Sequence, residues 1–265
     1  MIKFFRQIRK SLIEKNQMGK YFKYAIGEIL LVVIGILIAL QINNWNENRK
    51  ERAQEKELLE QLQSEFQSNL EQLDQKITMR KNMLTSSLKL LDYIDHPETR
   101  HNDSILKHAG QIVLAPTFDP IVNDIVSSDR IQLLQNKLLK EKLSRWTSEI
   151  IQVTEEEQVW LKHRTEHYMP LLMESYSLRN IVNGYWENEV VDQFHLDQGK
   201  KTKFSVSNSK TVGDISNLFD NPKFESVVAN CASISKLTNS QSFSLRNRIV
   251  EILDLIKTDL NRLND

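Results

Sequence analysis

Cysteine occurs once in the 265 residues, as Cys231. A lone thiol excludes an intramolecular disulfide and any cysteine-built zinc or iron–sulfur site. Proline and glycine are scarce, at 5 and 7, too few for the tight turns of a β-sandwich or barrel, and this points to helices. Neither sign of charge is in excess. The 35 Lys and Arg offset 35 Asp and Glu, leaving no basic surplus for a phosphate backbone and arguing against a nucleic-acid partner. G-x-S-x-G, the P-loop and G-x-G-x-x-G are all absent, which removes the common serine-hydrolase and nucleotide-binding signatures. What is present, 40% hydrophobic and 26% charged residues, is the composition of a folded chain.

The neutral total hides an asymmetry. Residues 1–23 hold Lys3, Arg6, Arg9, Lys10, Lys15, Lys20 and Lys23 against Glu14, a balance of +6, so the remaining 242 residues sum to −6. Phe4, Phe5, Ile8 and Leu12 recur at helical spacing, with the basic groups elsewhere on the wheel. This predicts an amphipathic helix on an anionic leaflet, with Lys3, Arg6, Arg9 and Lys10 as its membrane-surface residues. The alternative is a solvated basic tail. Tyr24 to Trp45 follows, and Ile29–Leu40 within it has no polar side chain. Twenty-one helical steps span about 31 Å, which matches a hydrocarbon core. Tyr21, Phe22, Tyr24 and Trp45 are placed as the aromatic belts. The basic flank sets the N-terminus in the cytoplasm. No A-x-A-like site follows the apolar run, so an uncleaved signal anchor is expected rather than a signal peptide. Three segments result: a cytoplasmic leader over 1–23, a transmembrane helix over 24–45 and an extracytoplasmic, periplasmic domain over 46–265.

The stretch YAIGEILLVVIGILIALQINNWNENRK, residues 24–50, resembles the N-terminal signature of a family of Gram-negative bacterial single-span membrane proteins, defined only as a domain of unknown function. That resemblance is tight over residues 20–50 and loose beyond. It implies a bacterial inner-membrane setting, a short basic leader, one span and a helical remainder of about this length. It implies no activity.

Beyond Asn46 the pattern turns charged and amphipathic. Leu59, Leu62, Phe66, Leu70, Leu73, Ile77, Leu84, Leu88 and Leu91 trace one helical face. Neither Pro nor Gly occurs before Pro97. The span and this helix read as continuous, with a break at Asn43-Asn44 as the alternative. Short helices are expected around Ile105–Leu114 and Pro120–Ser127. A second long helix is expected from its cap Asn136 to about Met169, where Pro170 stops it, with the stripe Leu139, Leu143, Trp146, Ile150, Val153 and Trp160. A small hairpin is placed at Phe194–Val206. The third helix starts at Pro222 behind the cap Asn221. Its stripe includes Phe224, Val228, Cys231, Ile234, Leu245, Ile249, Ile252 and Ile256, and Ser-rich residues 233–244 are expected to bend it. The fold class is all-α: one transmembrane helix and then an elongated antiparallel bundle of three long helices with short connecting helices, coiled-coil-like in its packing.

Candidate chemistry is sparse. Glu28 lies inside the span, where a carboxylate costs on the order of 2.5–3.5 kcal/mol at the centre and less near an end. Val32, Gly35 and Ala39 fall within about 40° of it on the wheel. Gly35-x-x-x-Ala39 is a small-xxx-small pattern, so Glu28, Val32, Gly35 and Ala39 are the expected membrane helix contact. The competing role for Glu28 is snorkelling to the headgroups from the helix N-terminus. His163-Arg164-Thr165-Glu166-His167 spells H-x-x-E-H, with two histidines and a glutamate spaced as in inverted zincin peptidases. A third ligand would have to be a distant acid such as Glu225 or Glu251. The expectation is therefore two ordinary histidines and no metal, with His163, Glu166 and His167 as the fallback candidates. Glu155-Glu156-Glu157 reads as a solvated face, Cys231 as a core residue, and Trp146, Trp160 and Trp186 as packing residues. The expected function is non-enzymatic, with no cofactor. Partners are the lipid bilayer and a second copy or another membrane protein. A periplasmic ligand sensor signalling through a partner, and a membrane-anchored metallohydrolase, are the alternatives.

Overall fold

Between Gly35 and Pro97 the chain has neither proline nor glycine, and Met18–Asp95 forms a single helix, α1, that passes unbroken through Asn43-Asn44. Pro97 ends it, because the residue before a proline is pushed out of the helical region. His96 accordingly sits at φ −128°, ψ 75°. The structure is a computed structural model describing residues 18–121, 129–187, 205–210 and 213–264. Residues 1–17 of the expected leader, with Lys3, Arg6, Arg9 and Lys10, most of the expected helix at 120–127 and nearly all of the expected hairpin at 194–206 lie outside those residues. Among the described residues there is no strand.

Two compact units divide the chain, Met1–Glu57 and Leu58–Asp265. In the first, the apolar run of α1 is exposed on every side, from Val33 at 45% to Leu31 at 66%. It is long and apolar enough to cross a membrane, and none of it is buried.

The second unit contains the rest of α1, then a 3-10 turn at Pro97–Thr99, α2 Asn102–Ile112 and a 3-10 segment at Asp129–Leu133. Helix α3, Lys137–His163, continues as a π-helical segment Arg164–Tyr168 and then as α4, Met169–Ser175. The remaining helices are α5 Leu178–Glu187, α6 Asn217–Asp220 and α7 Pro222–Asn264. Two caps act as their residue types dictate. Asn136 Oδ1 accepts from the Leu138 and Leu139 N–H groups, and Asn221 Oδ1 accepts from Lys223 N–H.

Pro170 does not stop the second helix as expected. It has no N–H to offer, and the preceding turn widens to a π-helix in which Met169 N–H reaches back to Arg164 O. The Ser-rich stretch lies inside α7, which is continuous over 43 residues. The stripe on α1 also drifts: Met83, Ser87 and Leu90 are buried, whereas Leu88 is exposed and Leu84 and Leu91 are only partly covered. A 3.6-residue helix rotates by about 20° per heptad relative to a strict seven-residue repeat.

The expected antiparallel order is corrected in one pair. Phe66 meets Trp146 at 4.9 Å between ring centroids, and further along both helices Arg80 meets Glu157, so α1 and α3 run in the same direction. Helix α7 runs opposite to both, with Asp74 on Arg246, Arg80 on Asn239 and Glu149 on Arg248. The return path from the end of α1 makes this possible. Its carbonyls, orphaned at and beyond the C-terminus of α2, are met by a ladder of donors one helical turn apart. Trp160 Nε1 donates to Leu114 O, Arg164 Nε to Val113 O and Tyr168 OH to Ala109 O, at 2.8, 2.5 and 2.7 Å.

Candidate functional site

The apolar interior of the second unit is two clusters. One gathers Met79, Met83, Ile105, Trp160, Tyr168, Phe224 and Val228; the other gathers Leu62, Phe66, Leu73, Leu143, Trp146, Ile249 and Ile252. Where they meet along the three long helices, beside Met79 on α1, between Val153 and Trp160 on α3 and between Ile234 and Leu245 on α7, lies a set of polar side chains. Arg80 and Glu157 are 3% and 2% exposed, with Nη1 to Oε1 at 2.5 Å. Arg80 Nε donates to Asn239 Oδ1 at 2.9 Å, Nη2 to Ser242 Oγ at 2.7 Å and Nη1 also to Pro116 O at 3.4 Å. The other carboxylate oxygen, Glu157 Oε2, accepts from Phe118 N–H at 2.8 Å. Asn239 Nδ2 completes the set on Ile77 O. Burial pushes the Glu157 carboxyl above its ordinary range, opposed by the Arg80 guanidinium and the Phe118 N–H. Burial also lowers Arg80 and the nearby, half-buried Lys76. A guanidinium stays protonated in proteins, and both Glu157 oxygens accept hydrogen bonds, as those of a carboxylate do.

This layer corrects the reading of Glu155-Glu156-Glu157 as a solvated face, since Glu157 is core. A signal for it was present. The alternating steps of four and three through Leu139, Leu143, Trp146, Ile150 and Val153 land next on Glu157 and then on Trp160. The same steps in α7 run from Phe224, Val228 and Cys231 through Ser235, Thr238 and Ser242 to Leu245, all buried. Polar residues on an apolar period here form a buried polar layer.

The residues singled out by sequence separate into three places. His163 closes α3, while Glu166 and His167 lie in the π segment, exposed. His163 Nε2 is 3.2 Å from Val227 O and its Nδ1 is 3.1 Å from Asn230 Nδ2, so both ring nitrogens are occupied. Burial lowers its pKa. Glu251 is held by Lys142 and Arg248, and among the described residues no three His, Cys, Asp or Glu side chains converge as metal ligands. The H-x-x-E-H residues instead line an open cleft of about 780 Å³, shared with Glu174 and Lys223. Cys231 is buried, and burial pushes its thiol up to about 11, far from a nucleophile's range. Trp146 and Trp160 are buried, and Trp186 stacks on Tyr185. In the first unit Glu28 is partly exposed, Val32, Gly35 and Ala39 are exposed, and a Cβ on Gly35 would meet open space.

A family described only as of unknown function, DUF6090, matches residues 28–98. The match starts at Glu28, follows α1 to its end and stops in the turn at Pro97–Thr99. It includes Val32, Gly35, Ala39 and Arg80 and excludes Glu157 and the cleft. No curated protein and no solved structure matches the chain.

Proposed function

We propose that this protein is a bitopic inner-membrane protein of bacteria whose helical unit is periplasmic and acts without catalysis, by binding a partner protein or a second copy. The observation that carries the reading is the apolar run of α1, exposed around its whole circumference. Water does not tolerate such a surface, whereas a bilayer does. The basic leader supports the orientation. Glu28, Val32, Gly35 and Ala39 form the contact by which the span meets another span: small residues let backbones approach, and a carboxylate on that side gains a partner there. The helices of residues 58–265 then form the bundle presented outside the cytoplasm. In an association assay on the isolated span, Gly35→Leu lowers self-association or pairing sharply, while Leu31→Ala has a smaller effect. Undiminished association in both Gly35→Leu and Glu28→Gln would leave that face as lipid-exposed surface.

A second reading, a ligand sensor, has one observation in its favour. The cleft beside His163 and His167 brings Glu166, Glu174 and Lys223 together around one opening, as a polar-ligand pocket does. A sensor of this kind signals through a separate transducing partner.

A further inference from the structure

We infer that the Arg80–Glu157 layer is a register lock: it fixes the axial alignment of α1, α3 and α7 and the seat of the return segment, and it contributes little net stability. The argument starts from the stripes. Helices α3 and α7 each bury a run with alternating steps of four and three, so their buried positions recur every seven residues. A stripe of that kind is nearly indifferent to a slip of seven residues, about 10 Å along the axis, because apolar positions again oppose apolar positions. The polar layer removes that indifference. Slipping α3 by seven places Ile150 or Arg164 where Glu157 now meets Arg80. The buried guanidinium then faces either a hydrocarbon side chain or a like charge. Slipping α7 by seven replaces Asn239 and Ser242 with Arg246 and Ile249 in one direction, or with Ala232 and Ser235 in the other. Neither restores the amide that accepts from Arg80 Nε and donates to Ile77 O.

The layer also reads the connection between α1 and α3. Arg80 donates to Pro116 O, and Glu157 accepts from Phe118 N–H. One ion pair thereby ties four stretches of chain to a single axial level, including two parallel helices that no tight turn could align. An apolar core would bury the same residues without specifying that level. Buried pairs of this sort give little net stability once desolvation is counted, and removing one partner alone is far more harmful than replacing both.

The test uses the full-length chain in detergent with Cys231→Ala and engineered cysteine pairs as register reporters. Asp74→Cys with Arg246→Cys reports the native alignment of α1 and α7. Asp74→Cys with Leu253→Cys reports a seven-residue slip. The lock is removed by Arg80→Met with Glu157→Gln, which keeps an acceptor for Phe118 N–H. With the lock intact, only the native pair cross-links. With it removed, the slipped pair cross-links at least tenfold more than before, while the melting temperature stays closer to the parent than that of Arg80→Met alone. Cross-linking confined to the native pair after removal overturns the proposal. So does a doubly substituted protein that fails to fold or melts as low as Arg80→Met alone, because the layer would then be a source of stability.

Discussion

Histidine is the residue whose charge changes nearest neutral pH, and burial lowers the pKa of two of them, His108 and His163. His163 sits between Val227 O and Asn230 Nδ2, and His108 Nδ1 contacts Ser86 Oγ at 3.0 Å. Burial is the largest cause of a lowered pKa at both, with Lys107 and Lys89 adding to it at His108 and His167 at His163. The unfolded chain keeps the ordinary histidine value of about 6.5. Between that value and the lower folded values the unfolded chain therefore binds more protons, so stability falls as pH drops through the window. This contribution is complete above pH of about 6.5. The urea midpoint is expected to be lower at pH 5.5 than at pH 7.5, and His108→Gln with His163→Gln should shrink that difference. An unchanged difference in the double variant would assign the pH dependence to other groups.

Helix-to-helix contacts are where the sequence was easiest and hardest to read. The caps Asn136 and Asn221 and the stripes of α3 and α7 follow from side-chain chemistry and period, and both were legible. The polar layer is hard to see in the sequence because Glu157 follows the exposed Glu155 and the half-buried Glu156, and because Ser235, Thr238 and Ser242 look like surface residues until the four-and-three stepping is carried through them. The parallel run of α1 and α3 is not written in any local pattern. It depends on backbone groups at Ala109, Val113, Leu114 and Phe118 finding Tyr168, Arg164, Trp160 and Glu157, a long-range match that period cannot reveal. The contact of α2 with α5 turns on one glycine. A Cβ at Gly110 would lie 2.9 Å from Tyr185 Cβ and 3.3 Å from Ile181 O, neither of which is the end of a flexible side chain. Gly110→Ala is expected to lower stability by about 1–3 kcal/mol, as overpacking does. Chemical denaturation measures it, and a variant as stable as the parent would mean that α5 moves aside without cost.

For the whole molecule, the decisive property is the run of α1 that no protein atom covers. The match to DUF6090 begins within that run and ends just past the end of α1, so most of the apolar run and the packed part of α1 fall within the matched residues. The net charge of +6 on residues 1–23 and the lack of a small-residue cleavage site after Leu40 support the proposal of a retained anchor with the C-terminal unit outside the cytoplasm. Fusion of alkaline phosphatase after Asp265 in a bacterial host, combined with N-terminal sequencing of the membrane-bound product, tests this most directly. The account predicts an active phosphatase on a chain that still begins at Met1. An inactive fusion, or a mature chain that starts beyond Leu40, would contradict it.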